Sequence, residues 1–438
     1  MGRLFGTDGI RGVANLDLKP NVAFGLGRAT AKRLVEPGGA IVVGQDTRRS
    51  GDMFVSAIVA GATSLGVDVH VVGVVPTPAL AYLASTGPYE AGIMVSASHN
   101  PAEDNGLKVL DAHGLKLDDA IEDELEALIW RESELGGVGN AELGRRIAAE
   151  DAVDTYREHR LGLARAIDAS GLKIVLDGAN GSGGPVGRDI LEATGAHVAA
   201  IHIEPDGVNI NVDAGATAPA SLSRAVTERG ADVGFALDGD ADRLIAVDDQ
   251  GRVVDGDQVL GILALERLTR DALPGGLVVS VLSNGGLQSA VEAAGGEVVR
   301  TPVGDKYILE GMQVAGAMLG GEKSGHVIVL EHTTSGDGIV TALEVLRVMT
   351  KRNATLATLA EAIPLLPQQQ RAVKARHKDQ WEGDPTLRRA IADATARLGG
   401  TGRVLVRPSG GAARALRSGC ADQGSDGRDS AARLSGGL

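Results

Sequence analysis

The sequence predicts an α/β protein made of several packed units, and three observations carry that prediction. At 438 residues with 43% hydrophobic content, the chain is too long for one core and long enough for roughly three or four. Short β-branched runs, Ala40–Gly44, Val67–Gly73, Ile93–Ser96, Leu172–Asp177, Val233–Asp238 and Leu277–Ser283, alternate with helix-like stretches such as Pro20–Val35 and Asp118–Trp130. Several of the apolar runs lack polar alternation, as strands covered on both faces do. They end in glycine, serine or aspartate. In open α/β sheets ligands bind beyond the carboxyl ends of the strands, so reactive side chains are expected there.

The strand–helix rhythm repeats three times, with joins at Gly136–Gly144 and at the turn Asp248-Asp249-Gln250-Gly251. Boundaries are expected near 150, 250 and 365, which gives domains 1–150, 151–250, 251–365 and 366–438. The polar, proline-punctuated stretch Pro364–Pro385 leads into the last of them.

Composition excludes several classes of function. The net charge of −14 is spread along the chain, with no basic stripe interleaved with aromatics, so nucleic acid is not an expected partner. No run of about 18 apolar residues lacks a charge, and Met1–Asp8 has no apolar signal-peptide core, so a membrane is not expected either. The only cysteine, Cys420, rules out an internal disulfide framework and fits a reducing compartment; the cytoplasm is the expectation. A homo-oligomer is left open.

Five motifs carry chemistry. Ser96-Ala97-Ser98-His99-Asn100-Pro101 follows the strand Ala91–Val95, and Pro101 holds the preceding residue extended. Ser98 is thereby presented at a strand end as a nucleophile or phosphoryl carrier, with His99 and Lys108 as groups that manage protons and charge. Alone, the motif also fits a Ser/Asn turn that satisfies its own backbone. In Leu237-Asp238-Gly239-Asp240-Ala241-Asp242-Arg243, three carboxylates alternate with small residues just past an apolar strand. Carboxylates this close repel one another unless a cation sits among them, and oxygen-only ligation suits Mg²⁺ or Mn²⁺. A calcium-binding helical loop would need glycine at its sixth position, where Arg243 stands.

Glu322 and Ser324, in Gly321-Glu322-Lys323-Ser324-Gly325-His326, offer an acceptor and a donor/acceptor suited to neighbouring sugar hydroxyls, and equally suit a connecting turn. Arg11, in Phe5-Gly6-Thr7-Asp8-Gly9-Ile10-Arg11-Gly12, is placed to pair with a phosphate or with a neighbouring carboxylate. Arg407-Pro408-Ser409-Gly410 raises the same choice.

Together and in this order, the five pieces resemble the α-D-phosphohexomutase family over about 410 residues. The N-terminal run and Val303-Gly304-Asp305-Lys306-Tyr307 resemble its glucosamine branch, with Lys323 a small departure where that branch more often has glutamine. The resemblance implies a four-domain phosphohexomutase-like architecture: three related α/β domains and a smaller C-terminal α+β domain around a central cleft. It implies that Ser98 holds the phosphoryl group and joins Asp238, Asp240 and Asp242 around one Mg²⁺ per chain. Arg11 and Arg243 would stabilise the transferring charge, and His99 and Lys108 would act in acid/base and positioning roles. Glu322 and Ser324 would hold sugar hydroxyls, and Arg407, Ser409 and Gly410 the other phosphate. The implied reaction interconverts glucosamine 6-phosphate and glucosamine 1-phosphate, a small phosphosugar partner, through a 1,6-bisphosphate. Glucose or glucosamine 1,6-bisphosphate would be the activator.

The chain departs from the family pattern twice. From Gly411 to Leu438 there is no valine, isoleucine or aromatic residue, whereas Val404-Leu405-Val406 reads as strand; the segment has a disordered composition, as a change of reading frame would produce. In Pro205–Thr217 the family's histidine after Thr217 is replaced by Ala218, and the loop is expected to be tolerant, without consequence for the chemistry. Competing readings are the same reaction on mannose or glucose phosphate, a sugar-phosphate-binding protein disabled by its altered tail, and a metal-dependent phosphatase.

Overall fold

The computed structural model describes residues 3–6, 8–36, 38–371, 373, 383–399 and 402–407. They fall into two compact units, Met1–Gln369 and Gln370–Leu438.

The first unit opens with a seven-stranded sheet of β1 (Phe5–Gly6), β2 (Gly9–Val13), β3 (Ala40–Gln45), β4 (Asp68–Val74), β5 (Ala91–Val95), β6 (Asp104–Asp111) and β7 (Arg146–Ala148), in the order β1-β2-β6-β5-β3-β4-β7. Strands β5, β3, β4 and β7 run parallel, and β6 turns back antiparallel beside β5. Helices α1 (Pro20–Leu34), α2 (Gly51–Thr63), α3 (Thr77–Thr86) and α4 (Asp119–Trp130) belong to this part of the chain. The unbroken apolar runs have a direct cause. Ile41, Val43, Ile93 and Val95 pack with Leu26, Phe54, Ile58 and Leu125 of α1, α2 and α4, while the alternate residues Val42 and Met94 pack with Leu80 and Leu83 of α3. Both faces are covered, so neither register position can be polar.

Then come α5 (Val153–Ala164), β8 (Lys173–Asp177), α6 (Gly184–Glu192), β9 (His197–Ile201), α7 (Ala220–Arg229), β10 (Val233–Leu237), β11 (Leu244–Asp248) and β12 (Val253–Val254), whose sheet order is β12-β11-β10-β8-β9. The last part of the unit holds α8 (Gly256–Leu268), β13 (Leu277–Ser280), α9 (Gly285–Ala293), β14 (Val298–Thr301), α10 (Asp305–Ala315), β15 (Leu319–Gly321), β16 (Val327–Val329), α11 (Gly338–Arg352) and α12 (Leu356–Glu361), in the sheet order β14-β13-β15-β16. These two sheets share a core: Leu176 and Phe235 lie in one apolar cluster with Leu260, Val279, Leu319, Leu343 and Leu346.

One buried polar node fixes α11. Asp337 Oδ1 caps it by accepting from the amides of Ile339 and Val340 at 2.9 and 3.0 Å. Asp337 Oδ2 takes Arg160 Nε and Nη2 at 3.1 and 3.0 Å and the Tyr156 hydroxyl at 3.1 Å. With this charge paired and bonded, the cap can be buried. The helix start in turn meets the aspartate-rich loop, where the Gly338 amide donates to Ala241 O at 2.9 Å.

In the second unit, α13 (Pro385–Leu398) begins at Asp384, which accepts from the Thr386 and Leu387 amides. Val404–Val406, expected as a strand, is not in a sheet: no described strand pairs with it, and an extended segment needs a ladder partner to become one. The 411–438 segment lies outside the described residues. Among the described residues, no helix is long and apolar enough to cross a membrane.

Candidate active site

The reactive side chains sit at strand ends. β5 delivers Ser98, which is fully buried and has φ +51°, a left-handed conformation that a residue with a Cβ holds only where its surroundings enforce it. Local bonds supply that enforcement. The Ser98 amide donates to Ser96 Oγ at 2.9 Å, and Ser96 Oγ donates to Asp46 Oδ2 at 2.6 Å. Arg48 Nε donates to the same Asp46 oxygen at 2.9 Å, and its Nη2 donates to the carbonyls of Ser98 and Asn100 at 2.9 and 2.8 Å. Arg48 Nη1 reaches Pro101 O and Asp104 O. One buried guanidinium therefore holds the whole turn, a use of its fork that lysine could not copy.

The Ser98 hydroxyl donates to Asp238 Oδ2 at 2.5 Å, and His99 Nδ1 lies 3.3 Å from the same Oγ. Asp238, Asp240 and Asp242 are buried at the end of β10, and one oxygen from each lies within 4.8 Å of the others. Asp238 Oδ1 accepts from the Arg243 amide at 3.2 Å. Asp240 Oδ2 accepts from Lys108 Nζ at 2.8 Å and from Thr77 Oγ1 at 2.6 Å. Asp240 Oδ1 and Asp242 Oδ1 are buried with no hydrogen-bond partner. Orphaned carboxylate oxygens beside one another, with no nitrogen or sulfur ligand, form a donor set that fits a hard divalent cation.

The charges around this set are shared. Lys108 Nζ lies 3.4 Å from Asp8 Oδ2 and 3.7 Å from Asp242 Oδ2 as well as against Asp240. Burial works against its charge, but Asp240, Asp8 and Asp242 outweigh burial and hold it above the usual lysine value. Burial also opposes ionisation of Asp242, yet Lys108, His326 and Arg243 keep it below the usual carboxylate range. Asp238 goes the other way, pushed well up by burial and then by Asp242 and Asp240. His99 is pulled down to about 4 by burial and by Arg243 and Arg11, so its imidazole is neutral near pH 7.

The structure also locates the remaining predicted residues. Arg11, on β2, pairs with Asp8 and donates to Asn100 Oδ1 at 3.2 Å. Lys116 bridges Asp8 and Asp305. Glu322 Oε1 accepts from the Gly304 amide at 3.1 Å, and Ser324 Oγ lies 3.5 Å from Glu322 Oε2. The stretch 303–307 thus meets the Glu322 loop directly. Arg407 belongs to the second unit, and Ser409 and Gly410 lie outside the described residues.

Sequence reasoning missed Asp46, Arg48, Thr77, Asp8, Lys116 and Asn211. The first three were open to the same strand-end argument, because Asp46-Thr47-Arg48 follows β3 and Thr77 follows β4. The loop 205–217, read as having no consequence for the chemistry, contributes Asn211 Nδ2, which donates to Ser98 O at 2.9 Å and to Asn100 O at 3.1 Å. It folds onto the serine turn.

Phosphoglucomutase/phosphomannomutase alpha/beta/alpha domains I, II and III match residues 2–136, 154–251 and 255–365. The chain is 49% identical to a phosphoglucosamine mutase of Moorella thermoacetica, over 94% of this chain and 93% of that protein. It is 48% identical to one from a Nocardioides species, over 94% and 92%. In structure it resembles a phosphoglucomutase/phosphomannomutase family protein of Burkholderia thailandensis with a TM-score of 0.74 at 28% identity, covering 87% of this chain and 84% of that one.

Proposed function

The chain belongs to the phosphohexomutase family, among its phosphoglucosamine mutases, and from that premise we propose that it interconverts glucosamine 6-phosphate and glucosamine 1-phosphate with Ser98 as the phosphoryl carrier. The observation that carries this reading is the fully buried Ser98 hydroxyl, 2.5 Å from a carboxylate of the aspartate triad. Mg²⁺ held by Asp238, Asp240, Asp242 and an oxygen at Ser98 would supply positive charge facing the transferring phosphoryl oxygens.

The chain's own groups do the rest. When the phosphoryl group leaves Ser98, its bond to Oγ breaks as a bond to a sugar hydroxyl oxygen forms. The hydroxyl proton passes to neutral His99, whose Nδ1 is 3.3 Å from Oγ and can return that proton to the serine. The second transfer runs the same step in reverse from the other phosphate of the 1,6-bisphosphate, so atoms and protons balance. Lys108, bonded to Asp240 and close to Asp242, keeps both carboxylates in place. Arg243 and Arg11 add positive charge beside Ser98, and Glu322 with Ser324 holds sugar hydroxyls. Because the transition state is loose, alignment and electrostatics account for the rate. A bisphosphate activator first phosphorylates Ser98, and the single cysteine accords with a cytoplasmic enzyme.

A coupled assay with glucosamine 6-phosphate, Mg²⁺ and glucose 1,6-bisphosphate tests this reading. Mutase turnover is expected, well above that on glucose or mannose 6-phosphate. Equal turnover on glucose 6-phosphate overturns the amino-sugar assignment, and steady release of inorganic phosphate in place of isomerised sugar overturns the mutase.

A further inference from the structure

We propose that Asn211 is a positioning residue for phosphoryl transfer: its amide, on a loop between β9 and α7, sets the serine turn against the aspartate triad. The inference rests on Ser98 being the phosphoryl carrier.

Ser98 and Asn100 each present a carbonyl oxygen to two donors. Arg48 Nη2 bonds both, and Asn211 Nδ2 bonds the same two at 2.9 and 3.1 Å. Arg48 follows β3 in the sheet that carries Ser98, so its bonds fix the shape of the turn within that sheet. Asn211 comes from the part of the chain that carries the aspartates, so its bonds fix where the turn lies relative to them. The orientation of the amide follows from its partners. Two carbonyl oxygens cannot donate, so the NH₂ group faces them.

Gly239 supplies the independent observation. A Cβ added there would meet Ser98 O at 2.7 Å and Asn211 Nδ2 at 2.9 Å. The asparagine amide and the serine carbonyl therefore lie directly against the backbone between Asp238 and Asp240. Displacing that amide would free the turn to shift relative to both carboxylates, and small misplacements of reacting groups are costly in rate.

The bland explanation is local conformation. Asn211 has φ +60°, and asparagine tolerates the left-handed region. Asn211→Gly separates the two accounts, because glycine keeps that backbone freedom and removes the side chain that carries the donor. The protein is mixed with Mg²⁺ and glucose 1,6-bisphosphate, and intact mass follows phosphoryl transfer to Ser98 over time. For N211G we expect transfer and kcat to fall about tenfold or more, with KM for glucosamine 6-phosphate within about twofold and Tm near wild type. N211D keeps the size and the left-handed tolerance but turns an acceptor toward two carbonyls, so it should fall further; it supplies the same comparison if N211G does not fold. Variants phosphorylated as fast as wild type, or a kcat loss that only tracks lost folded protein, overturn the positioning role. A wild type that takes no phosphoryl group onto Ser98 overturns the carrier assignment itself, and the positioning role with it.

Discussion

Around Ser98 the charges are buried and shared, whereas around Glu322 they are few and separable. Lys108 serves Asp240, Asp8 and Asp242, and Arg48 gives its donors to five oxygens. Glu322 receives one backbone amide and a long contact from Ser324, and neighbouring Lys323 reaches outward to Gln368 Oε1 at 3.0 Å. Under the proposed roles, the difference separates two tasks. A transfer centre must hold reacting groups without reorganising, so each charge is pinned by several partners. A loop that grips a sugar must release it, so its groups keep free bonding capacity. Damage to the first region should appear in kcat and metal dependence, and damage to the second in KM.

Four substitutions test that contrast, from the largest expected effect to the smallest. Ser98→Ala should remove turnover by about 10⁴-fold or more while leaving Tm near wild type; thermal melts paired with the coupled assay read both. Asp240→Asn should cost about 10²- to 10³-fold in kcat and raise the Mg²⁺ midpoint, because it removes a charge that Lys108 uses and that the proposed cation would use. A metal titration that leaves the midpoint unmoved would place the cation elsewhere. Glu322→Gln keeps the acceptor for the Gly304 amide but loses the charge. Its KM for glucosamine 6-phosphate should rise about tenfold with kcat within a few fold, since charge-assisted bonds to hydroxyls are roughly twice as strong as neutral ones. Lys323→Gln should change either constant by no more than about twofold, because its exposed contacts are of the weak surface kind. If E322Q lowers kcat as severely as D240N does, the division between the two regions is wrong.

The contrast also governs what could be read in advance. The strands of the first sheet were legible because residues such as Ile41, Val42 and Val43 must be apolar on both faces. Their ends were less so. The run Leu277–Ser283 stops as a strand at Ser280, since the Ser283 amide turns back to Ser280 O. The aspartate triad announced itself through charge density in a short stretch. The left-handed Ser98 did not, because its conformation depends on Arg48 and Asn211, which lie 50 and 113 residues away in the chain. The same distance hid the contact that the 205–217 loop makes with the serine turn. Val404–Val406 shows the converse: its composition is that of a strand, but strand formation depends on a partner that no local pattern supplies.

The central claim, that Ser98 carries the phosphoryl group between sugars, is tested most directly by following the group itself. Protein labelled with radioactive phosphate on Ser98 is freed of activator and mixed with Mg²⁺ and unlabelled glucosamine 6-phosphate. The label should leave the protein and appear in glucosamine 1,6-bisphosphate and the monophosphates. Label that stays on Ser98, or leaves only as inorganic phosphate, would contradict it.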